Sequence, residues 1–192
     1  MKASTGYRHV GATRHCHRGV TYTGSQGQTP CPISTFSRVP ERDLDVTAAI
    51  SAPADVLYAL VSDVTRMGEW SPENVGGRWL DGVPGPVVGA RFRGSNRRGW
   101  RRWSTTCTVV AAEPGRTFTF DVKVAGIRTS RWSYAFLPRG DQTEVTESWS
   151  DHRPRWLAVS AGAVMGINDL RAHNEQNIRT TLANLEAVST HR

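Results

Sequence analysis

From Thr117 to Val124 the chain reads TFTFDVKV, with Phe118, Phe120, Val122 and Val124 on one parity and Thr117, Thr119, Asp121 and Lys123 on the other. That period of two is the pattern of a half-buried strand, because successive side chains point to opposite faces. The same alternation runs through RTSRWSYAFLP (Trp132, Tyr134, Phe136) and TEVTESWS (Val145, Glu147, Trp149), and recurs in ARFRGSN, WSTTCTVVAAE and, earlier, LDVTAAI. Turn residues punctuate these runs at Asn96-Arg97-Arg98-Gly99, Pro114-Gly115 and Arg139-Gly140-Asp141. Closely spaced strands with short polar turns predict an antiparallel meander.

The period changes twice. After LDVTAAI, Pro53 suits a first helical turn, and Val56, Leu57, Leu60 and Val61 draw one apolar stripe; Asp63 is placed to cap a second short helix, VTRMGEW. At the other end, Ile167, Leu170, Asn174, Ile178, Thr181, Leu185 and Val188 recur at steps of three and four, predicting a long C-terminal helix. Gly162 and Gly166 interrupt the segment before it, as a separate short helix or a flexible lead into the long one. A sheet with one apolar face and a helix with one apolar stripe must cover each other. The first 42 residues show neither period and read as a disordered N-terminal extension, leaving a single domain over residues 43–190.

The order of these parts resembles the helix-grip fold of the SRPBCC superfamily, also called START or Bet v 1-like. The stretches that carry the resemblance are VTAAISAPADVLYALVSDVTRMGEWSPE, CTVVAAEPGRTFTFDV and RWSYAFLPRGDQTEVTESW. Within the superfamily they look most like bacterial proteins of the polyketide cyclase/dehydrase or lipid-transport type. The resemblance implies an α+β fold, with a curved antiparallel sheet of six or seven strands wrapped around the long helix and two short helices after the first strand. It also implies a deep cavity between sheet and helix that takes hydrophobic molecules, whether for transport, sensing or cyclisation chemistry. One fold hosts all of these, so function has to be argued from the site.

Given such a cavity, parity selects its walls. Phe92 and Asn96, Trp103, Thr105 and Cys107, Phe118 and Phe120, Trp132 and Tyr134, and Glu147 and Trp149 come from the strands; Leu170, Asn174 and Ile178 come from the helix, and Trp70 closes one end. Aromatic walls with a few polar groups describe a small-molecule pocket, suited to an aromatic, polyketide-like or lipid ligand. Glu147 is the one carboxylate on this expected inner face. Buried, it either titrates high and serves as a general acid or base, or it is a structural group bonded to Tyr134, Asn174 or an arginine. Asn174 has the same two readings, and His173 falls one step off the stripe, toward the rim. Cys107 reads as packing, since a buried thiol without a cationic neighbour stays protonated.

Charge changes the picture less than its total suggests. Of the formal +7, residues 1–42 supply +5, so the rest of the chain is near neutral. The exception is RFRGSNRRGWRRW at 91–103, where arginines interleave with Phe92, Trp100 and Trp103. Such a hairpin can bind RNA or a ribosome through phosphates and stacking, the alternative to a hydrophobic ligand; it can also be a solvated hairpin or the entrance for a lipid or an acidic ligand, and the body's near neutrality disfavours nucleic acid. Three cysteines are too few and odd in number for a disulfide framework. His9, His15, Cys16, His17 and Cys31 match no structural zinc spacing, and there is no nucleotide loop or hydrolase triad, so neither a metal nor a cofactor is expected. With no apolar run long enough to span a bilayer and no secretory h-region, the expected location is cytoplasmic. Oligomeric state is not legible.

Overall fold

The computed structural model describes residues 43–82, 85–154, 167 and 169–190. The expected N-terminal extension, the His/Cys cluster within it and the Gly162/Gly166 segment lie outside the described residues. The order is β1 (Asp43–Ile50), α1 (Ala54–Ser62), a 3-10 helix (Val64–Glu69), β2 (Asn74–Trp79), β3 (Arg91–Arg98), β4 (Arg101–Glu113), β5 (Thr117–Val124), β6 (Ile127–Arg139), β7 (Gln142–Asp151) and α2 (Leu170–Thr190). The strands form one antiparallel sheet in the order β1-β7-β6-β5-β4-β3-β2. Five successive hairpins thus run from β2 to β7, and β1 returns to pair with β7. This is the helix-grip arrangement.

Two short elements depart from the sequence expectation. β2, NVGGRW, has too little alternation to announce itself as a strand. Its glycines answer to packing: a Cβ on Gly77 would lie 2.8 Å from the Val64 carbonyl oxygen, so the 3-10 helix can rest directly on the strand. In α1 the buried face uses Leu57, Tyr58, Leu60 and Val61, whereas Val56 is exposed. Pro53 is the residue that precedes the first turn. Asp63 caps the 3-10 helix as expected from sequence, accepting from the Thr65 N–H at 3.1 Å and its hydroxyl at 2.6 Å.

The β3–β4 hairpin is longer than its turn signal suggested. Pairing continues to Arg97 opposite Arg102 and Arg98 opposite Arg101, leaving only Gly99 and Trp100 as the turn. Gly99 has φ +57, and a glycine at the first central position lets a two-residue turn match the strand twist. α2 starts at Leu170 rather than Ile167, because Asp169 caps it by accepting from the Ala172 N–H at 3.0 Å.

The concave face of the sheet is divided along its length. At one end α1 seals it: the Tyr58 ring meets Phe118 at 6.4 Å and Phe136 at 6.2 Å, both edge to face. α2 spans the division with one stripe. Leu182 and Leu185 are buried in the solid core, while Leu170, Asn174, Ile178 and Thr181 border open space. The packed end fixes the helix, and the other end leaves a cavity.

Candidate ligand cavity

The cavity measures about 800 Å³, a volume in the range of small-molecule sites. Of the residues expected to line it, Trp70, Phe92, Asn96, Trp103, Thr105, Cys107, Phe120, Trp132, Tyr134, Glu147, Trp149, Leu170, Asn174 and Ile178 all do. Phe118 does not. It lies on the correct face, but Tyr58 occupies the space in front of it and makes it part of the sealed end. Parity gives the face of a strand, not the point along it where a helix lands.

Strand register explains how the lining converges. Trp132 is paired with Phe120 on one side and Trp149 on the other, and Tyr134 sits between Phe118 and Glu147. Trp132 and Trp149 hold their rings 6.5 Å apart. On the far side Phe92 pairs with Cys107 and packs edge to face on Phe120, at 5.2 Å. The result is a wall of rings interrupted by a few polar side chains.

Glu147 is the most consequential of these, at 2% exposure. The Tyr134 hydroxyl donates to its Oε1 at 2.7 Å. Oε2 is buried and has no hydrogen-bond partner among the described residues. Burial pushes the carboxyl from an ordinary 4.5 up to about 8, against the opposing pull of the Tyr134 hydrogen bond. Tyr134 is itself driven well above 10.0, by burial first and then by the Glu147 charge. At neutral pH the pair is therefore a carboxylic acid beside a phenol. The two sequence readings of Glu147 meet here: one oxygen is bonded to protein and the other is not.

Trp70 adds a second such group. Its ring stands edge to face with Tyr134 at 6.2 Å, and its indole Nε1 is buried without a partner among the described residues. The backbone around it is fixed by α2, since the Asn184 amide donates to the Trp70 carbonyl at 3.1 Å. Two unsatisfied polar groups thus flank one tyrosine on the cavity wall, each costing about 1–3 kcal/mol while unpaired.

Other polar residues have simpler roles. Burial pushes the Cys107 thiol to about 12, which keeps it protonated and unreactive. His173 Nε2 lies 3.0 Å from a Glu73 carboxylate oxygen and 3.1 Å from the Asn177 amide nitrogen, donating to the first when protonated or accepting from the second when not, and so ties α2 to the residue before β2. Glu73 does line the cavity, a carboxylate that strand parity missed because it precedes β2. Val122, Ser130 and Thr181 were legible in principle, since they share faces with Phe120, Trp132 and Ile178. The arginines Arg98, Arg101 and Arg102 also border the cavity, at the end where Trp100 is 83% exposed. Among the described residues no cluster of His, Cys, Asp and Glu has a metal-binding arrangement, and no helix is long and apolar enough to cross a membrane.

The chain matches a protein-family model described as "Polyketide cyclase / dehydrase and lipid transport" over residues 41–190. None of the curated proteins matches it. Among solved structures it is similar to the Polyketide_cyc-like protein of Corynebacterium glutamicum, known from solution NMR, with 34% identity and a TM-score of 0.54 over 76% of this chain and 90% of that one. A Mycobacterium smegmatis protein shares the fold at 15% identity and TM-score 0.56, covering 78% of this chain and 92% of that one. The di-domain ARO/CYC StfQ from the steffimycin biosynthetic pathway does so at 14% identity and TM-score 0.54, over 76% of this chain and 44% of that one.

Proposed function

The chain belongs to the polyketide cyclase/dehydrase and lipid transport family, and from that premise we propose that it binds a hydrophobic small molecule in the aromatic cavity. The single observation that carries the reading is the cavity itself, about 800 Å³, with the rings of Phe92, Trp103, Phe120, Trp132 and Trp149 on its wall. The ligand is thus apolar over most of its surface. Planar or polycyclic bodies suit the rings of Trp103, Trp132 and Trp149.

Glu147, a lining residue, supports a chemical role. A neutral carboxyl at pH 7 donates a proton or hydrogen bond to a carbonyl oxygen, as enolisation, cyclisation and dehydration require. Binding and catalysis separate in the Glu147→Gln variant, which keeps the shape and replaces the acid. Turnover lost with affinity retained marks an enzyme; affinity lost with no turnover in the wild type marks a carrier.

Binding itself is tested with the neutral apolar fluorophore N-phenylnaphthylamine. The expected result is saturable, blue-shifted fluorescence at one molecule per chain, competed by whatever small molecule co-purifies. A Thr105→Trp variant, which places an indole inside the cavity, should lose it. Equal binding by the filled variant would place the probe elsewhere and remove the support.

A further inference from the structure

Accepting the cavity as a ligand site, we infer that its ligand is an amphipathic acid, whose carboxylate, sulfonate or phosphate is held at the mouth by Arg98 and Arg101. The sealed and open ends have different chemistry. Register places Glu147 and Tyr134 level with Phe118 and Ala112, near one end of β4, while Arg101 begins the other end of that strand. An uncharged acid therefore marks the deep part of the cavity, and guanidinium groups mark its entrance.

The orientation of the arginines argues for a small ligand rather than a polyanion. Phe92, Asn96 and Arg98 share one face of β3, and Arg101, Trp103, Thr105 and Cys107 share one face of β4; all of them border the cavity. Arg98 and Arg101 are directly opposite one another in the ladder, and both are half-buried. Like charges in that position repel, and partial burial strengthens the repulsion. Glu73 offsets part of it, lying 3.8 Å from Arg98 while also holding His173. Arg101 lies over the exposed Trp100 ring at 4.9 Å. Arg102 borders the same mouth, and Arg153, bonded to Asp151 at 2.9 Å, is a fourth cation on the lining. The lining carries four guanidinium groups against Glu73 and the protonated Glu147. An anion entering with its apolar body on the tryptophans meets a charge-assisted donor pair already on the wall. The sequence motif that looked like a nucleic-acid hairpin is read instead as the recognition element of the cavity.

The test compares two probes with the same apolar body: anilinonaphthalene sulfonate and the neutral N-phenylnaphthylamine. The proposal expects the sulfonate to bind about tenfold more tightly. In Arg98→Gln/Arg101→Gln that advantage disappears, while neutral-probe affinity changes less than twofold, which also reports a folded cavity. Arg93→Gln/Arg97→Gln removes the same charge from the other face of β3 and keeps the preference. Equal binding of the two probes by the wild type overturns the proposal, as does a preference that survives Arg98→Gln/Arg101→Gln. Loss of the preference in both double variants shows a general charge effect and also overturns it, as does displacement of the sulfonate by single-stranded RNA. Failure of the neutral probe to bind the wild type counts against the cavity reading itself.

Discussion

Replacing Glu147 by Gln should shift stability progressively in the variant's favour as pH rises. The side chain keeps its shape, and its amide oxygen still accepts from Tyr134, but it can no longer ionise. In the unfolded chain the wild-type carboxyl releases its proton near 4.5; in the fold burial holds the proton until about 8. Because the folded-state value is raised, no cost linked to ionisation is present below the unfolded value. Stability is then lost, relative to the variant, as pH rises from 4.5 to 8, and the loss levels off above that. The slope is about 1.4 kcal/mol per pH unit, so the gap between variant and wild type should widen by roughly 3–5 kcal/mol between pH 5 and pH 9. Urea unfolding of both proteins at each pH measures it, and any fixed effect of the substitution drops out of the pH dependence. A gap that stays flat from pH 5 to pH 9 would mean the carboxyl ionises at its ordinary pH in the fold. That result would refute the burial argument and the acid role built on it.

Tyr134→Phe should remove the donor that holds Glu147 down, costing about 1–3 kcal/mol in urea unfolding at pH 5 and moving the plateau of the stability gap above pH 8. Gly77→Ala should cost about 1–3 kcal/mol, because its methyl group would press on the Val64 carbonyl; an unchanged urea midpoint would show that the 3-10 helix is not packed as described. Cys107, in a variant with Cys16 and Cys31 replaced by Ser, should react with iodoacetamide at pH 8 only after urea unfolding. Rapid native alkylation would contradict a thiol buried and held protonated.

The sheet was legible because alternation survives in β4 to β7, where one face is buried and the other is wet. β2 was not, since Gly76 and Gly77 serve contact with the 3-10 helix and leave no period to read. The cavity wall followed from parity, and Phe118 shows its limit: a strand pattern does not contain the position of Tyr58 on a helix more than fifty residues earlier. The pairing of Glu147 with Tyr134 was one of several partners open in the sequence, and only register selected it. The unsatisfied Trp70 indole was invisible at that level, because satisfaction depends on every neighbour at once. Arg98 and Arg101 were read only as part of a hairpin that could be solvated, bind nucleic acid or form a ligand entrance, because the turn was set three residues early. With pairing extended to Gly99, the same parity rule turns them toward the cavity.

Native mass spectrometry after incubation with N-phenylnaphthylamine reads whether the cavity holds a ligand. The wild type should carry one small molecule per chain, either the probe or a co-purified ligand, and Thr105→Trp should run at its bare mass. Wild-type protein at its bare mass under the same conditions would contradict a hydrophobic ligand cavity between sheet and helix.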